Sequence, residues 1–103
     1  MQAIITDGQR EQIAAVCRLY HVRRLALFGS AVDGTFDPAR SDLDFVVEFG
    51  PLPEGKYADT YFGLIGALES LFERHVDLVE AGSIRNPYFL REIESHQEAL
   101  YAA

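Results

Sequence analysis

Two aspartates, Asp42 and Asp44, stand at the start of the apolar segment "SDLDFVVEF", where a buried strand is expected to begin. Side chains two residues apart on a strand project from the same face, so both carboxylates can converge on one place. Carboxylates this close repel each other, and without a cation the pKa of one of them rises until it binds a proton. A divalent cation removes that cost, and Mg²⁺ prefers oxygen ligands. The pair therefore predicts a metal site.

A third aspartate in similar surroundings is Asp77, which lies inside the apolar segment "HVDLVE". Its two apolar neighbours point the opposite way, so in an adjacent strand about 4.8 Å away its carboxylate would face the first two aspartates. Three carboxylates can hold two metal ions, and two ions about 3.5 to 4 Å apart stabilise the attacking and leaving oxygens of an in-line displacement at phosphorus. All three aspartates are candidates for metal binding and catalysis.

A glycine and a serine, Gly29 and Ser30, follow the first apolar strand segment in "LFGSAVDG". At a strand-to-helix turn, free backbone N–H groups can bind phosphate, and glycine lets the phosphate approach closely. By itself a Gly-Ser pair is usually only a turn, and a lone Asp-x-Asp is usually a solvated strand end. The ordered combination is more specific, because each part meets a different need of nucleotide chemistry on phosphate.

Helix and strand patterns place these residues in an alternating fold. Asp7 is predicted to cap a helix from about Gln9 to Tyr20, and residues 24–28 and 43–49 are expected to form short buried strands. Between the strands, glycine, proline and small polar residues predict a loop over 32–41.

The second half of the chain repeats this alternation. After the glycine- and proline-rich residues 50–55, the pattern is helical from Tyr57 to Arg74, and residues 75–80 are apolar enough for a third strand. Asn86-Pro87 predicts the start of a last helix, as an N-cap followed by proline.

The longer predicted helix has one broad apolar face. Its members are Tyr61, Leu64, Ile65, Leu68, Leu71 and Phe72. Phe62 falls outside that face. Gly63 and Gly66 weaken the helix by up to about 1 kcal/mol each relative to alanine, which indicates close approach of another element.

The C-terminal part of the sequence leaves two questions open. Phe89, Ile93 and Leu100 are predicted to share one face of the last helix, but "EALYAA" fits either helix or edge strand. Three aromatic residues fit either an exposed apolar patch for a partner or the core: Phe62, Tyr88 and Tyr101.

Composition limits the class of protein. The chain has 103 residues, of which 49% are hydrophobic, and no repeat or linker, so we expect one α/β domain over residues 1–103. The net charge of −7 argues against nucleic-acid binding, because such binding relies on Lys and Arg. No apolar run reaches the roughly 18 residues of a membrane span, and no signal-peptide pattern is present, so no membrane association and a cytoplasmic location are expected.

Cysteine and histidine give no metal-binding pattern. Cys17 lies on the apolar face of the first helix and is expected to be a core thiol. His21, His75 and His96 show no ligand spacing with one another or with Cys17, which argues against a zinc site. His75 is expected to terminate the preceding helix, where an imidazolium suits the helix dipole.

The segments "LFGSAVDG", "SDLDFVVEF" and "VDLVE" together resemble the minimal nucleotidyltransferases of the DNA polymerase β superfamily, and the resemblance covers nearly the whole chain. It implies a small mixed sheet backed by helices. It also implies that Gly29 and Ser30 bind the triphosphate, that Asp42 and Asp44 are ligands of both metal ions, and that Asp77 helps to activate the attacking hydroxyl. Ser41, directly before the aspartate pair, is assigned to nucleotide binding as well.

Further expectations follow from the same resemblance. Many such proteins are encoded with a helical HEPN toxin, and some act as antitoxins by transferring AMP from ATP to a tyrosine of that partner. We therefore expect two Mg²⁺ ions, ATP as substrate, a HEPN toxin as partner and a homo- or hetero-oligomer.

One segment departs from the family pattern. After Gly-Ser the family usually carries a basic run ending in Arg-Gly, whereas this chain has Ala31, Val32, Asp33 and Gly34. A cation on the phosphate side is missing, and Asp33 adds negative charge. Arg40 is a candidate to compensate.

The departure leaves a second hypothesis open, in which the chain neutralises a partner by occlusion and has little catalytic activity. A third hypothesis, modification of a small molecule such as an antibiotic, is less favoured because enzymes of that type usually carry a further domain.

Overall fold

A computed structural model describes residues 5–37 and 39–103, so Pro38 of the predicted loop lies outside the described residues. The described chain forms four α-helices, four strands and one short 3-10 helix. They are α1 (Asp7–Leu19), β1 (Val22–Phe28), α2 (Ser30–Asp33), β2 (Leu43–Phe49), α3 (Tyr57–Phe72), β3 (Val76–Glu80), the 3-10 helix (Ala81–Ser83), α4 (Pro87–Ser95) and β4 (Glu98–Ala102).

The strands form one mixed sheet in the order β3-β2-β1-β4. β1 is antiparallel to both β2 and β4, whereas β2 and β3 are parallel. The chain can pair β2 with β3 in parallel because α3 carries it back along the sheet between them. The predicted α/β fold, a small mixed sheet backed by helices, is confirmed.

Alternation along the strands sends side chains to two faces of the sheet. The larger core packs α1 and α3 on one face, and includes Ile13, Cys17, Leu27, Leu43, Phe45, Val47, Leu64, Leu68, Val76 and Leu78. The opposite face is smaller, with Ala26, Val46 and Ile93 of α4 packed together. Asp44 and Asp77 alternate with core residues of the first face, so their side chains lie on the α4 face.

Several predicted boundaries need correction. Thr6, not Asp7, caps α1, because its hydroxyl accepts from the Gln9 N–H at 3.1 Å while the Gln9 side chain accepts from the Thr6 N–H. The predicted loop over 32–41 begins later, because α2 occupies residues up to Asp33. α3 ends at Phe72 because Glu73 adopts a left-handed conformation, with φ of 53°.

The structure shows which conformation the C-terminal residues adopt. Asn86 caps α4 as predicted, and its side-chain oxygen accepts from the next two available N–H groups of the helix. α4 ends at Ser95, so the prediction that Leu100 shares a helical face is wrong. Residues 98–102 form the edge strand β4 instead, paired with β1.

The structure decides the predictions for the three aromatic residues and for the two glycines of α3. Phe62 is 68% exposed and Tyr88 77% exposed, whereas Tyr101 packs against the core. Gly63 does allow close approach, since a Cβ there would lie 2.6 Å from the Tyr20 ring, but the same prediction for Gly66 is wrong because nothing lies within 4 Å.

Cys17 is buried, and burial raises the pKa of its thiol to about 12, which agrees with a core thiol. Among the described residues, no helix is both long and apolar enough to cross a membrane.

Candidate active site

The parallel pairing of β2 and β3 brings two of the predicted aspartates side by side. In the strand register Asp44 is the partner of Asp77, and both lie among buried apolar residues of their strands. Partners in adjacent strands with the same facing lie within side-chain contact distance. The strand pairing therefore brings together two carboxylates that are more than thirty residues apart in the sequence.

The third aspartate, Asp42, precedes β2 and lies next to His75, a residue that was not predicted to belong to the site. Nδ1 of His75 lies 3.3 Å from Oδ2 of Asp42 and 3.8 Å from Oδ1 of Asp77. One ligand atom each from Asp42, His75 and Asp77 lie within 4.8 Å of one another, on exposed side chains.

His75 is therefore misassigned as a helix terminator. α3 ends at Phe72 with Glu73 as its left-handed C-cap, and the His75 imidazole lies next to the aspartates rather than at the end of the helix. Its position two residues before Asp77 in an extended segment places both side chains on one face, and this spacing was a signal in the sequence.

Asp44 lies beside this triplet in a less solvated position. Its pKa is raised to about 6, first because burial disfavours the charged form, then because of the negative charge of Asp77 and a hydrogen bond to it, with a smaller effect of Asp42. Like charges held together in this way are the arrangement that a divalent cation would stabilise.

Gly29 lies against the Asp44 carboxyl group. Gly29 has φ of 73° and is the N-cap of α2, and a Cβ at this position would collide with the Asp44 carboxylate. A side chain at Gly29 is thus excluded both by backbone conformation and by space. The predicted strand-to-helix turn is present, and it lies at the aspartate cluster.

Ser41 is half-buried and takes part in the loop before β2. Its Oγ accepts from the Asp37 N–H at 2.9 Å, and its carbonyl oxygen accepts from Nη1 of Arg74 at 3.0 Å. The Arg74 guanidinium also lies 4.9 Å from the centre of the Phe36 ring. Arg74 thus brings a cation next to Ser41. Compensation of the missing phosphate-side cation by Arg40 stays a prediction.

Asp33 adds negative charge just after the Gly-Ser turn. Its carboxylate accepts from both the backbone N–H and the hydroxyl of Thr35, and these hydrogen bonds lower its pKa. His96 lies near enough for its charge to contribute a small further lowering. Asp33 therefore stays ionised, as expected from the departure in this segment.

Two openings meet at the site. An open groove of about 660 Å³ is lined by Asp44, His75 and Asp77, together with Phe28, Phe62 and Phe89. A smaller cavity of about 260 Å³ lies on the Gly29 side and shares Phe28 and Phe89 with the groove. The two openings are therefore neighbours, with Phe28 and Phe89 at their common boundary.

The residues present fit a divalent cation site. Carboxylate oxygens and one imidazole nitrogen converge at coordinating separations, and the charge they gather favours a cation.

Comparisons with known proteins show the family of the chain. The nucleotidyltransferase domain family matches residues 10–100. Two proteins of Methanocaldococcus jannaschii, both named as proposed protein adenylyltransferases, are each 39% identical to this chain. One match spans 75 residues, 73% of this chain and 73% of the relative, and the other spans 90 residues, 87% of this chain and 88% of the relative.

Solved structures share the fold. A structure described as a proposed minimal nucleotidyltransferase is 29% identical, with a TM-score of 0.71, covering 91% of this chain and 89% of the other. A toxin-antitoxin crystal structure with AMP-PNP has a TM-score of 0.68 at 23% identity, covering 91% of this chain and 73% of the other. The chain belongs to the nucleotidyltransferase domain family, as a minimal nucleotidyltransferase, and is an enzyme of that family.

Proposed function

We propose that the chain transfers AMP from ATP to a tyrosine hydroxyl of a HEPN toxin and thereby acts as its antitoxin. The observation that carries the proposal is the meeting of Asp42, Asp44 and Asp77 beside the Gly29–Ser30 turn. The relatives named as adenylyltransferases support the reaction class, and the toxin-antitoxin structures of the same fold support the choice of partner.

In this proposal Asp42, Asp44 and Asp77 hold two Mg²⁺ ions. When bound, the ions supply charge stabilisation to the phosphate oxygens in an in-line displacement. The chain's own polar groups position the nucleotide: backbone N–H groups of the Gly29–Ser30 turn and the Ser30 hydroxyl donate to the triphosphate, with Ser41 at the edge of the site.

Asp77 is suited to receive the proton of the acceptor. It lines the open groove, and its side chain is 54% exposed, so a hydroxyl from another molecule can reach it. The acceptor oxygen forms a bond to the α-phosphorus, the bond from that phosphorus to the bridging oxygen breaks, and pyrophosphate leaves. The hydroxyl proton passes to the Asp77 carboxylate.

The test is transfer of label from α-labelled ATP to the HEPN protein encoded beside this chain, with Mg²⁺ present. Asp42→Asn and Asp44→Asn should each reduce transfer by about a hundredfold or more, because removal of a residue that acts on the transition state costs several kcal/mol. Asp59→Asn, on the exposed surface of α3, is the matched control. Equal transfer by all four proteins would contradict the proposal.

A second candidate function is neutralisation by occlusion, and the ionised Asp33 next to the phosphate turn favours it. In that case the aspartate variants would still suppress toxin activity at the same concentration of antitoxin. Under the first proposal they would bind the toxin and leave it active.

A further inference from the structure

The smaller cavity next to the Gly-Ser turn has no role in the reaction as described so far. It lies between the end of β1 and α4, and its lining includes Gly29, Phe28, Phe89, Glu92 and His96. Its volume of about 260 Å³ is close to the lower limit of small-ligand pockets. Apolar rings with a few polar groups at the rim are typical of such pockets.

The positions of Asp77 and Gly29 indicate which of the two openings takes the acceptor and which takes the nucleotide. Asp77, which receives the acceptor's proton, lines the groove, whereas Gly29, at the triphosphate turn, lines the smaller cavity. The acceptor belongs to a separate molecule and needs the more open side. The nucleoside, which is joined to the triphosphate, then has the smaller cavity available.

Phe89 has the geometry of a stacking surface at the boundary of that cavity. Its ring meets Phe28 edge-to-face, with centroids 6.2 Å apart and planes at 75°, and the residue is 40% exposed. The contact with Phe28 fixes the ring without covering both of its faces. Phe89 is the third residue of α4, and its place is set by Pro87 and by the Asn86 cap, whose oxygen accepts from the Phe89 N–H at 3.3 Å.

We propose that the smaller cavity binds the nucleoside of the triphosphate substrate and that the base stacks on Phe89. Glu92 and His96 lie at the polar rim, where they can bind ribose hydroxyls or the edge of the base. The inference rests on the proposed function, because it takes the triphosphate to lie at Gly29 and Ser30.

The test compares a non-hydrolysable ATP analogue with tripolyphosphate, both with Mg²⁺, by isothermal titration calorimetry. Phe89→Ala should weaken binding of the ATP analogue about tenfold or more, since stacking of a base on an aromatic ring contributes at that level. Tripolyphosphate, which has no nucleoside, should bind the variant and the unaltered protein equally.

Two further variants separate stacking from loss of structure. Phe89→Leu keeps an apolar contact with Phe28 but lacks a flat ring, and should also weaken the analogue. Tyr88→Ala removes an exposed ring from the same helical turn, and Tyr88 lines neither opening, so it should leave both affinities unchanged.

The outcomes are distinguishable. If the analogue binds Phe89→Ala and Phe89→Leu as tightly as the unaltered protein, or if tripolyphosphate weakens equally, the nucleoside assignment is wrong while the proposed function stands. If the unaltered protein binds neither ligand, both proposals fail.

Discussion

At the scale of single residues, ionisation of Asp44 is unfavourable, because burial and the Asp77 carboxylate both favour its protonated form. Its pKa of about 6 lies above the ordinary value of 3.8, so the folded state binds this proton more tightly than the unfolded state. Between these two pH values the free energy of unfolding of the metal-free protein must fall as pH rises.

Asp44→Asn should therefore stabilise the metal-free protein at pH 7.5, because the neutral amide avoids the cost of a partly buried charge and its repulsion with Asp77. Relief of a partly solvated charge contact is worth up to about 1 kcal/mol, or roughly 4–8 °C in melting temperature for a domain of this size. Calorimetric melting in the presence of a chelator measures it. The gain should shrink as the pH falls from about 6 to about 4, where Asp44 becomes protonated in both states, and a gain that is independent of pH would contradict the electrostatic explanation.

His75 touches two of the three proposed metal ligands, so its removal should affect metal affinity rather than folding. We expect His75→Ala to weaken Mn²⁺ binding about tenfold. This is the low end of the loss in metal affinity that follows removal of a side chain that orients metal ligands. Mg²⁺, which prefers oxygen ligands, should be affected less. Titration calorimetry with each ion measures this, with His96→Ala as control, and equal Mn²⁺ affinity in both variants would show that His75 takes no part.

At the scale of the elements, α3 holds two glycines in opposite surroundings. Gly63→Ala would place a methyl group 2.6 Å from the ring of Tyr20, the C-cap of α1, so the net effect should be destabilisation by about 1–3 kcal/mol. Gly66→Ala meets no atom within 4 Å and should stabilise the helix by about 0.5–1 kcal/mol. Urea unfolding of the two variants is the measurement, and effects of the same sign would contradict the packing of α1 on α3.

Some of the helices and strands could be predicted from the sequence and others could not. β2 and the N-cap of α4 were predictable because apolar alternation and the Asn-Pro pair are local signals. β4 was not, because "EALYAA" has no decisive period, and it becomes a strand only by pairing with the free edge of β1. The same limit applies to Gly66, since local sequence cannot tell which helix face has a neighbour.

The candidate site was predictable to the extent that it depends on strand periodicity. Asp42, Asp44 and Asp77 could be grouped because two-residue spacing and an apolar context fix the face of each side chain. His75 and Arg74 were missed because their roles depend on where α3 ends, which Glu73 determines through its left-handed conformation. Helix ends are the least certain part of a sequence-based interpretation.

For the whole molecule, the net charge of −7 predicts that the protein does not bind nucleic acids. Duplex DNA and single-stranded RNA should not bind measurably at about 150 mM salt, because the acidic chain offers few cations to replace condensed counterions. Fluorescence anisotropy with labelled oligonucleotides measures this. Micromolar binding that weakens steeply with salt would contradict it and would point to a basic surface that the charge balance does not indicate.

Metal-dependent binding of the triphosphate tests the central claim most directly, because it needs neither the partner nor turnover. Calorimetric titration with a non-hydrolysable ATP analogue should show binding in Mg²⁺ that is lost in chelator and lost in Asp42→Asn. Binding of equal strength in chelator, or in the variant, would contradict the account of the aspartates and the Gly29–Ser30 turn as one nucleotide site.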